Sequence, residues 1–378
     1  MKLKRVIAIF IISFVLMSVG CSKFGEKKGN TDDKSANESN ESGQSNKKES
    51  KKKDEEIIIS VVTDEAGING NGFNQSADMG AKLAERELGL KYLPVESMKG
   101  KYKESLEKAM DANANLIFVI GNEMVDTVEK ISKEHKDKTF IVLDNAVEGE
   151  NIGSIIFKEQ EGSFLMGIIA GKMSVNNKVG FIGGKDISII NKYEAGFTAG
   201  VMSVNNEAGQ FLLDKTYVKY TDSFKDVNKG IEVSKALYES GCDVIYHMSG
   251  ECGVGIYETA KDFRDYGKKV WVIGSETDQA QDYPKFEKVI LSSMVKRVDN
   301  AVYEAIEKEN EGDSYKGKIV EMGIKDKGVA IATSTQENTP KEIVELVKKY
   351  EKAIKEGKIK VPSTLEELKE FEVVKLEE

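Results

Sequence analysis

Read from its polar and aromatic residues outward, the sequence carries one recurring arrangement. Side chains that could grip a small molecule follow short apolar runs. After "IIISVVT" come Asp64, Glu65 and the glycine- and asparagine-rich tip "GINGNGFN", which ends in Phe73 and Asn74. After "FIVL" comes Asp144, and after "KVGFIGG" come Lys185, Asp186 and a stretch holding Asn191, Tyr193 and Phe197. After "DVIYHM" come Ser249 and Gly250, after "VWVIG" come Ser275, Glu276 and Asp278, and after "VILSSM" come Lys296 and Arg297. Carboxylates and amides accept and donate hydrogen bonds, and aromatic rings stack on flat groups. The set holds no nucleophile–base pair of the kind turnover needs. The three cysteines and two histidines offer no cluster at metal-ligand spacing.

Those residues need a scaffold that collects strand ends. "IIISVVT", "LIFVI", "FIVL", "KVGFIGG", "DVIYHM", "VWVIG" and "VILSSM" have the length and β-branched content of strands buried on both faces. Amphipathic stretches lie between them. Phe73, Ala77, Ala81, Ala84 and Leu88 recur at helical steps, and Gly89 supplies a stop. The alternation predicts a doubly wound α/β fold with parallel sheets, in which ligands sit beyond the carboxyl ends of the strands. Nine or ten strands imply two sheets, with the break near residues 154–171, where a strand ends and a helix flecked with Gly and Ala follows.

Composition narrows the ligand and places the chain. A net charge of −9 argues against nucleic acid as a partner. The only arginines are Arg5, Arg86, Arg264 and Arg297, so a phosphoester bound through guanidinium forks is disfavoured. At the N-terminus, Lys2, Lys4 and Arg5 precede the apolar run "VIAIFIISFVLM", which is shorter than the roughly 20 residues of a membrane span. "SVGC" then looks like a lipobox, with Cys21 as the acylated residue; a plain secretory signal is the alternative. Residues 1–20 are expected to be a signal peptide. Residues 21–56, nearly free of apolar side chains, are expected to be a disordered tether spanning about 30 Å.

The ordered motifs "GFNQSA", "FKEQEGSFLMGIIAG", "KVGFIGGKDI" with "YEAGFTAGV", "DVIYHMSGECGVGIYETA", "VIGSETDQ" and "SSMVKRVDNAVYEAI" resemble the basic membrane protein family. These are lipid-anchored substrate-binding proteins of ABC importers, and the purine-nucleoside receptor branch is the nearest match. The resemblance implies a type I periplasmic-binding fold, with two doubly wound lobes joined by three crossovers. Lobe 1 is expected at 57–157 and 275–322, and lobe 2 at 158–274 and 323–378. It implies no enzyme activity, no cofactor, a monomer on the outer face of the cell membrane, and an ABC permease and ATPase as partners.

Within that resemblance, Phe73 is expected to be one plate of a sandwich around a nucleobase, or else a staple packing the helix start. Asn74 faces the base edge or caps the helix. Asp64 and Asp144 are placed at the ligand, Asp144 accepting from base N–H groups or acting as a turn residue. Tyr193 is expected to be the second plate. Phe197 lies one helical turn on, with core burial as its alternative. Asn191 and Lys192 stand where the family often has arginine. Gly250 opens a helix whose amides could reach a ligand oxygen. Glu276 stands where the family has aspartate and, with Lys296, is assigned the ribose hydroxyls; Asp278 is a fallback. His247 is expected to be a hydrogen-bonded core residue, and Cys252 inert. A sugar or autoinducer ligand on the same fold, or a nucleoside hydrolase, are the competing readings.

Overall fold

The computed structural model describes residues 56–69 and 72–376. The expected signal peptide, Cys21 and the tether lie outside the described residues.

The chain begins with β1 (Ile58–Thr63), α1 (Gly72–Leu88), β2 (Lys91–Tyr92), β3 (Val95–Glu96), α2 (Tyr102–Asp111), β4 (Leu116–Ile120), α3 (Val125–Glu134), β5 (Thr139–Leu143) and β6 (Ile152–Phe157). It then crosses into α4 (Glu159–Met173), β7 (Val179–Gly183), α5 (Ser188–Val204), α6 (Asn206–Leu213), β8 (Val218–Tyr220), α7 (Val227–Glu239), β9 (Val244–Met248), α8 (Cys252–Asp265), β10 (Trp271–Glu276), α9 (Gln279–Asp282) and β11 (Ile290–Lys296). It returns through α10 (Val298–Glu311) and β12 (Ile319–Met322). It crosses a third time to β13 (Val329–Ile331), α11 (Thr335–Asn338), α12 (Lys341–Lys355) and α13 (Leu365–Lys369).

The first sheet has the order β12-β6-β5-β4-β1-β2, with β3 also on β1; the second has the order β13-β11-β10-β9-β7-β8. Every pairing is parallel except β11 with β13. This is the expected pair of doubly wound lobes joined by three crossovers. One expected boundary is corrected. Lobe 1 does not resume at residue 275, because β10 continues to Glu276 and β11 pairs with it in the second sheet. The return to lobe 1 follows Lys296, where α10 packs on α1.

Alternate strand residues feed the two faces of each sheet, as the pleat requires. Val62, Ile117, Val119 and Phe140 pack with Leu106 and Val128 of α2 and α3, whereas Ile59, Val61 and Phe118 pack with Ala77, Ala81 and Ala84 of α1. In lobe 2, Ile182, Ile245, Val272 and Ile290 meet Leu237 and Ile256 of α7 and α8. The helices α4 and α5 cover the other face of that sheet at very close range. A Cβ on Gly200 would stand 2.1 Å from the Phe164 carbonyl oxygen, so only glycine permits this approach. The helix α1 stops just before Gly89, whose φ is +70°.

Candidate functional site

The cleft lies where strand ends of both lobes converge. Register places the groups. Val295 of β11 pairs with Glu276 of β10, so Glu276 and Lys296 emerge from neighbouring strands at one edge. From the other lobe, β5 ends at Leu143 and hands over to Asp144. Asp144 and Glu276 both hold left-handed backbone, with φ of +67° and +72°. This conformation disfavours residues with a Cβ, Asn and Asp least, and costs on the order of 1 kcal/mol or more.

Lys296 is the centre. Its side chain is 3% exposed, and its Nζ lies 2.9 Å from Asp144 Oδ2, 3.1 Å from Glu159 Oε1 and 3.9 Å from Glu276 Oε2. Three rings surround the same ammonium: Phe73 and Phe157 at 5.4 Å and Tyr193 at 5.9 Å to their centroids. Burial opposes the charged ammonium, but the carboxylates of Asp144, Glu276 and Glu159 outweigh it and hold the pKa of Lys296 above that of ordinary lysine. Glu159 is fully buried at the start of α4, and its other oxygen takes the ammonium of Lys192 at 2.9 Å. Lys192 also donates to the Phe157 carbonyl at 3.0 Å.

Glu276 is clasped from behind. The Tyr193 hydroxyl donates to Glu276 Oε1 at 2.5 Å. Burial raises the pKa of Glu276 above the carboxylate norm; Lys296 and the Tyr193 hydrogen bond oppose that rise, and Asp144 and Glu159 add to it.

The cleft therefore gathers Phe73, Asp144, Tyr193, Glu276 and Lys296 from the residues expected at the ligand, and adds Glu159 and Phe157. The others go elsewhere. Asn74 Nδ2 donates to Asp64 Oδ1 and to the Gly67 carbonyl, both at 2.8 Å, so Asp64 and Asn74 brace the loop that carries Phe73. Asn191 donates to Asp186 at 3.0 Å and accepts from the Tyr220 hydroxyl at 3.1 Å. Gly250 is exposed at the turn before α8, with φ of +57°, close to the backbone of Phe224.

Three expectations are corrected. Tyr193 is 1% exposed with its hydroxyl committed to Glu276, so in this structure it positions that carboxylate where a second plate was expected. Phe197 is fully buried against Phe181 and Tyr246, with ring centroids at 6.1 and 4.8 Å, and belongs to the core of lobe 2. Asp278 cannot substitute for Glu276, because its carboxylate accepts from Ser334 N and Thr333 Oγ1, each at 3.0 Å. His247 is a core residue, with Nε2 2.7 Å from the Tyr257 hydroxyl.

Phe157 and Glu159 are the residues the sequence left unmarked, and Glu159 is the more telling. It stands inside "FKEQEG" at a helix start, where an acid usually interacts with the free amides in solvent.

This geometry fits a receptor for small ligands, and the chain's relatives decide its family. Residues 57–364 match the family model described as "ABC transporter substrate-binding protein PnrA-like". The chain belongs to this family. It is a PnrA-like substrate-binding protein of the ABC-transporter class. Over 338 residues it is 35% identical to the CD4+ T-cell-stimulating antigen of Listeria monocytogenes, covering 85% of this chain and 92% of that one. It is 31% identical to the ABC transporter nucleoside-binding protein BmpA of Lactococcus lactis, covering 82% of this chain and 90% of that one. The fold matches that of an ABC transporter solute-binding protein from Aeropyrum pernix K1, with a TM-score of 0.66, 24% identity and coverage of 83% and 98%. Among the described residues of this PnrA-like chain, no helix is long and apolar enough to cross a membrane.

Proposed function

We propose that the protein is an extracytoplasmic, lipid-anchored receptor that binds a nucleoside, of the purine class, in the cleft and delivers it to an ABC permease and its ATPase. The observation that carries the reading is the Lys296 constellation: one buried ammonium between carboxylates from both lobes, capped by the ring of Phe73. A ribose presents vicinal hydroxyls, and each hydroxyl both donates and accepts. Asp144 and Glu276 supply acceptors for them, and Lys296 supplies donors. Phe73 supplies a face for the base, and stacking of this kind is worth roughly 1–3 kcal/mol per base. Among the described residues, Asp144, Glu159 and Glu276 pair with Lys296 and Lys192, so these three carboxylates outnumber their cations, an excess of negative charge that favours a neutral ligand over a phosphorylated one. The nucleoside-binding relative from Lactococcus lactis supports the ligand class.

The anchor rests on Cys21 and the lipobox-like "SVGC". Titration calorimetry with inosine, adenosine, free base, ribose and inosine 5′-monophosphate tests the site. Nucleosides are expected to bind, the monophosphate more weakly. Tight binding of ribose or another sugar with no nucleoside response would replace the reading. Loss of the membrane-bound form in Cys21→Ala cells tests the anchor.

A further inference from the structure

Gly72 and Thr277 meet across the cleft. Gly72 is the first residue of α1 in lobe 1, and Thr277 follows the last residue of β10 in lobe 2. A Cβ placed on Gly72 would stand 2.4 Å from Thr277 Cγ2 and 3.5 Å from its Oγ1. What the missing side chain allows is the approach of the other lobe.

Thr277 is poorly placed to yield. A β-branched side chain is stiff at χ1, and its hydroxyl is held on two sides, accepting from Gln279 Nε2 at 2.6 Å and pairing with Asp282. Gln279 Oε1 in turn accepts from the Tyr257 hydroxyl at 3.1 Å, and that hydroxyl meets His247 Nε2 at 2.7 Å in the core. The Thr277 rotamer is thus pinned through a hydrogen-bonded chain into the interior of lobe 2. The two residues of the contact are also the chain neighbours of two cleft residues, Phe73 and Glu276.

We infer that Gly72 and Thr277 form the mechanical stop that sets the closed width of the cleft between Phe73 and Glu276. They are positioning residues: neither needs to touch the ligand, and together they fix how far the two gripping surfaces stand apart. The identity of the ligand in this inference rests on the nucleoside reading; the stop itself does not.

The test is a three-variant set. Gly72→Ala adds the obstructing carbon, Thr277→Ser removes the opposing methyl while keeping the hydroxyl, and the double variant does both. Gly72→Ala is expected to weaken inosine binding by about tenfold, the order implied by overpacking with one carbon. Thr277→Ser alone stays within about threefold of the parent, and the double variant returns to that range because the two changes compensate at one contact. Amide hydrogen exchange of the ligand-free protein is the second arm. Segments 72–78 and 274–279, one in each lobe, exchange faster in Gly72→Ala and return to the parent rate in the double variant. A change confined to α1 would mark a local helix effect and overturn the inference. So would a double variant as weak as Gly72→Ala, or a Gly72→Ala protein indistinguishable from the parent in both arms. If the parent takes up no inosine, the nucleoside reading fails separately, and the exchange pattern alone sustains or overturns the stop.

Discussion

Asp144 and Lys296 meet at 2.9 Å from opposite lobes, one on the tip that follows β5 and the other at the end of β11. The pair ties the halves together at the point where a ligand would enter. Lys296 is almost fully buried, and Asp144 is 28% exposed. A buried charge stays stable only while its partners remain.

Lys296→Met would leave Asp144, Glu159 and Glu276 together without their central cation. Breaking a buried pair from one side costs roughly 3–5 kcal/mol. We expect a loss of that order in urea denaturation at pH 7, and no detectable heat with inosine. Glu276, whose pKa burial already raises, would lose the cation that opposes the rise, so the folded variant takes up a proton at higher pH than the unfolded chain and regains part of the deficit as pH falls. A deficit that stays constant from pH 7 to pH 5 would show that carboxylate repulsion is not its cause.

Phe73 and Phe197 separate ligand contact from core packing. Phe73→Leu keeps an apolar side chain at a half-buried position and removes the ring. Inosine affinity should fall by about 5- to 100-fold, as loss of one stacking face implies, with little change in melting temperature. Phe197→Leu should do the reverse. It disturbs contacts with Phe181 and Tyr246 in a fully buried cluster, and a loss of about 1–3 kcal/mol in stability is expected, with affinity near that of the parent. Equal affinity losses in the two variants would contradict this division.

These two residues also mark how far the sequence could be read. The buried strands were legible, because "LIFVI" or "VWVIG" bounded by turns has few other uses, and α1 announced itself by period and by Gly89. The face of α5 was not legible. Nearly every residue from Ile190 to Ser203 is buried, so the helix has no polar side to orient it, and the pattern alone does not separate a cleft-facing Tyr193 from a core Phe197. The return to lobe 1 after Lys296 was hidden for a related reason. A parallel strand reads alike in either sheet, and only pairing with β10 assigns β11. Glu159 was hidden by its type, since an acid in a first helical turn carries no mark of burial. Asp144 and Glu276 were legible as candidates because one follows a strand and the other ends one, where an open α/β sheet presents its ligands.

Tyr193→Phe tests the clasp on Glu276. The hydroxyl lowers the Glu276 pKa by donating to its ionised form, so its removal lets that pKa climb further. If the ionised carboxylate accepts the sugar hydroxyls, nucleoside affinity in the parent falls as pH drops through the Glu276 pKa. In the variant this fall should begin at higher pH, with affinity at pH 7 reduced by about 3- to 10-fold, the order of one ordinary net hydrogen bond. Calorimetry from pH 5 to pH 8.5 decides it. Parallel profiles displaced only in depth would mean that the hydroxyl packs but does not tune the acid.

His247 gives a pH dependence that owes nothing to ligand. Its ring is buried between the Tyr257 hydroxyl and Ser249 Oγ, the latter 3.2 Å from Nδ1, and burial holds its pKa down at about 3. The unfolded chain binds this proton near the ordinary value of 6.5, and the folded chain binds it only near 3. Between those limits the unfolded state holds more protons, so stability falls as pH falls. The full contribution is present above about 6.5 and is lost progressively toward 3, amounting to roughly 4–5 kcal/mol at the low end. His247→Gln should be less stable than the parent at pH 7, since its amide meets Tyr257 and Ser249 with poorer geometry. Its stability should then decline less steeply on acidification, by up to one proton's worth of slope, because nothing at that position titrates. Urea midpoints at half-unit steps from pH 7.5 to pH 4.5 measure the difference. Identical slopes in parent and variant would mean that His247 takes up its proton without unfolding, through an opening of lobe 2 that admits water to Tyr257.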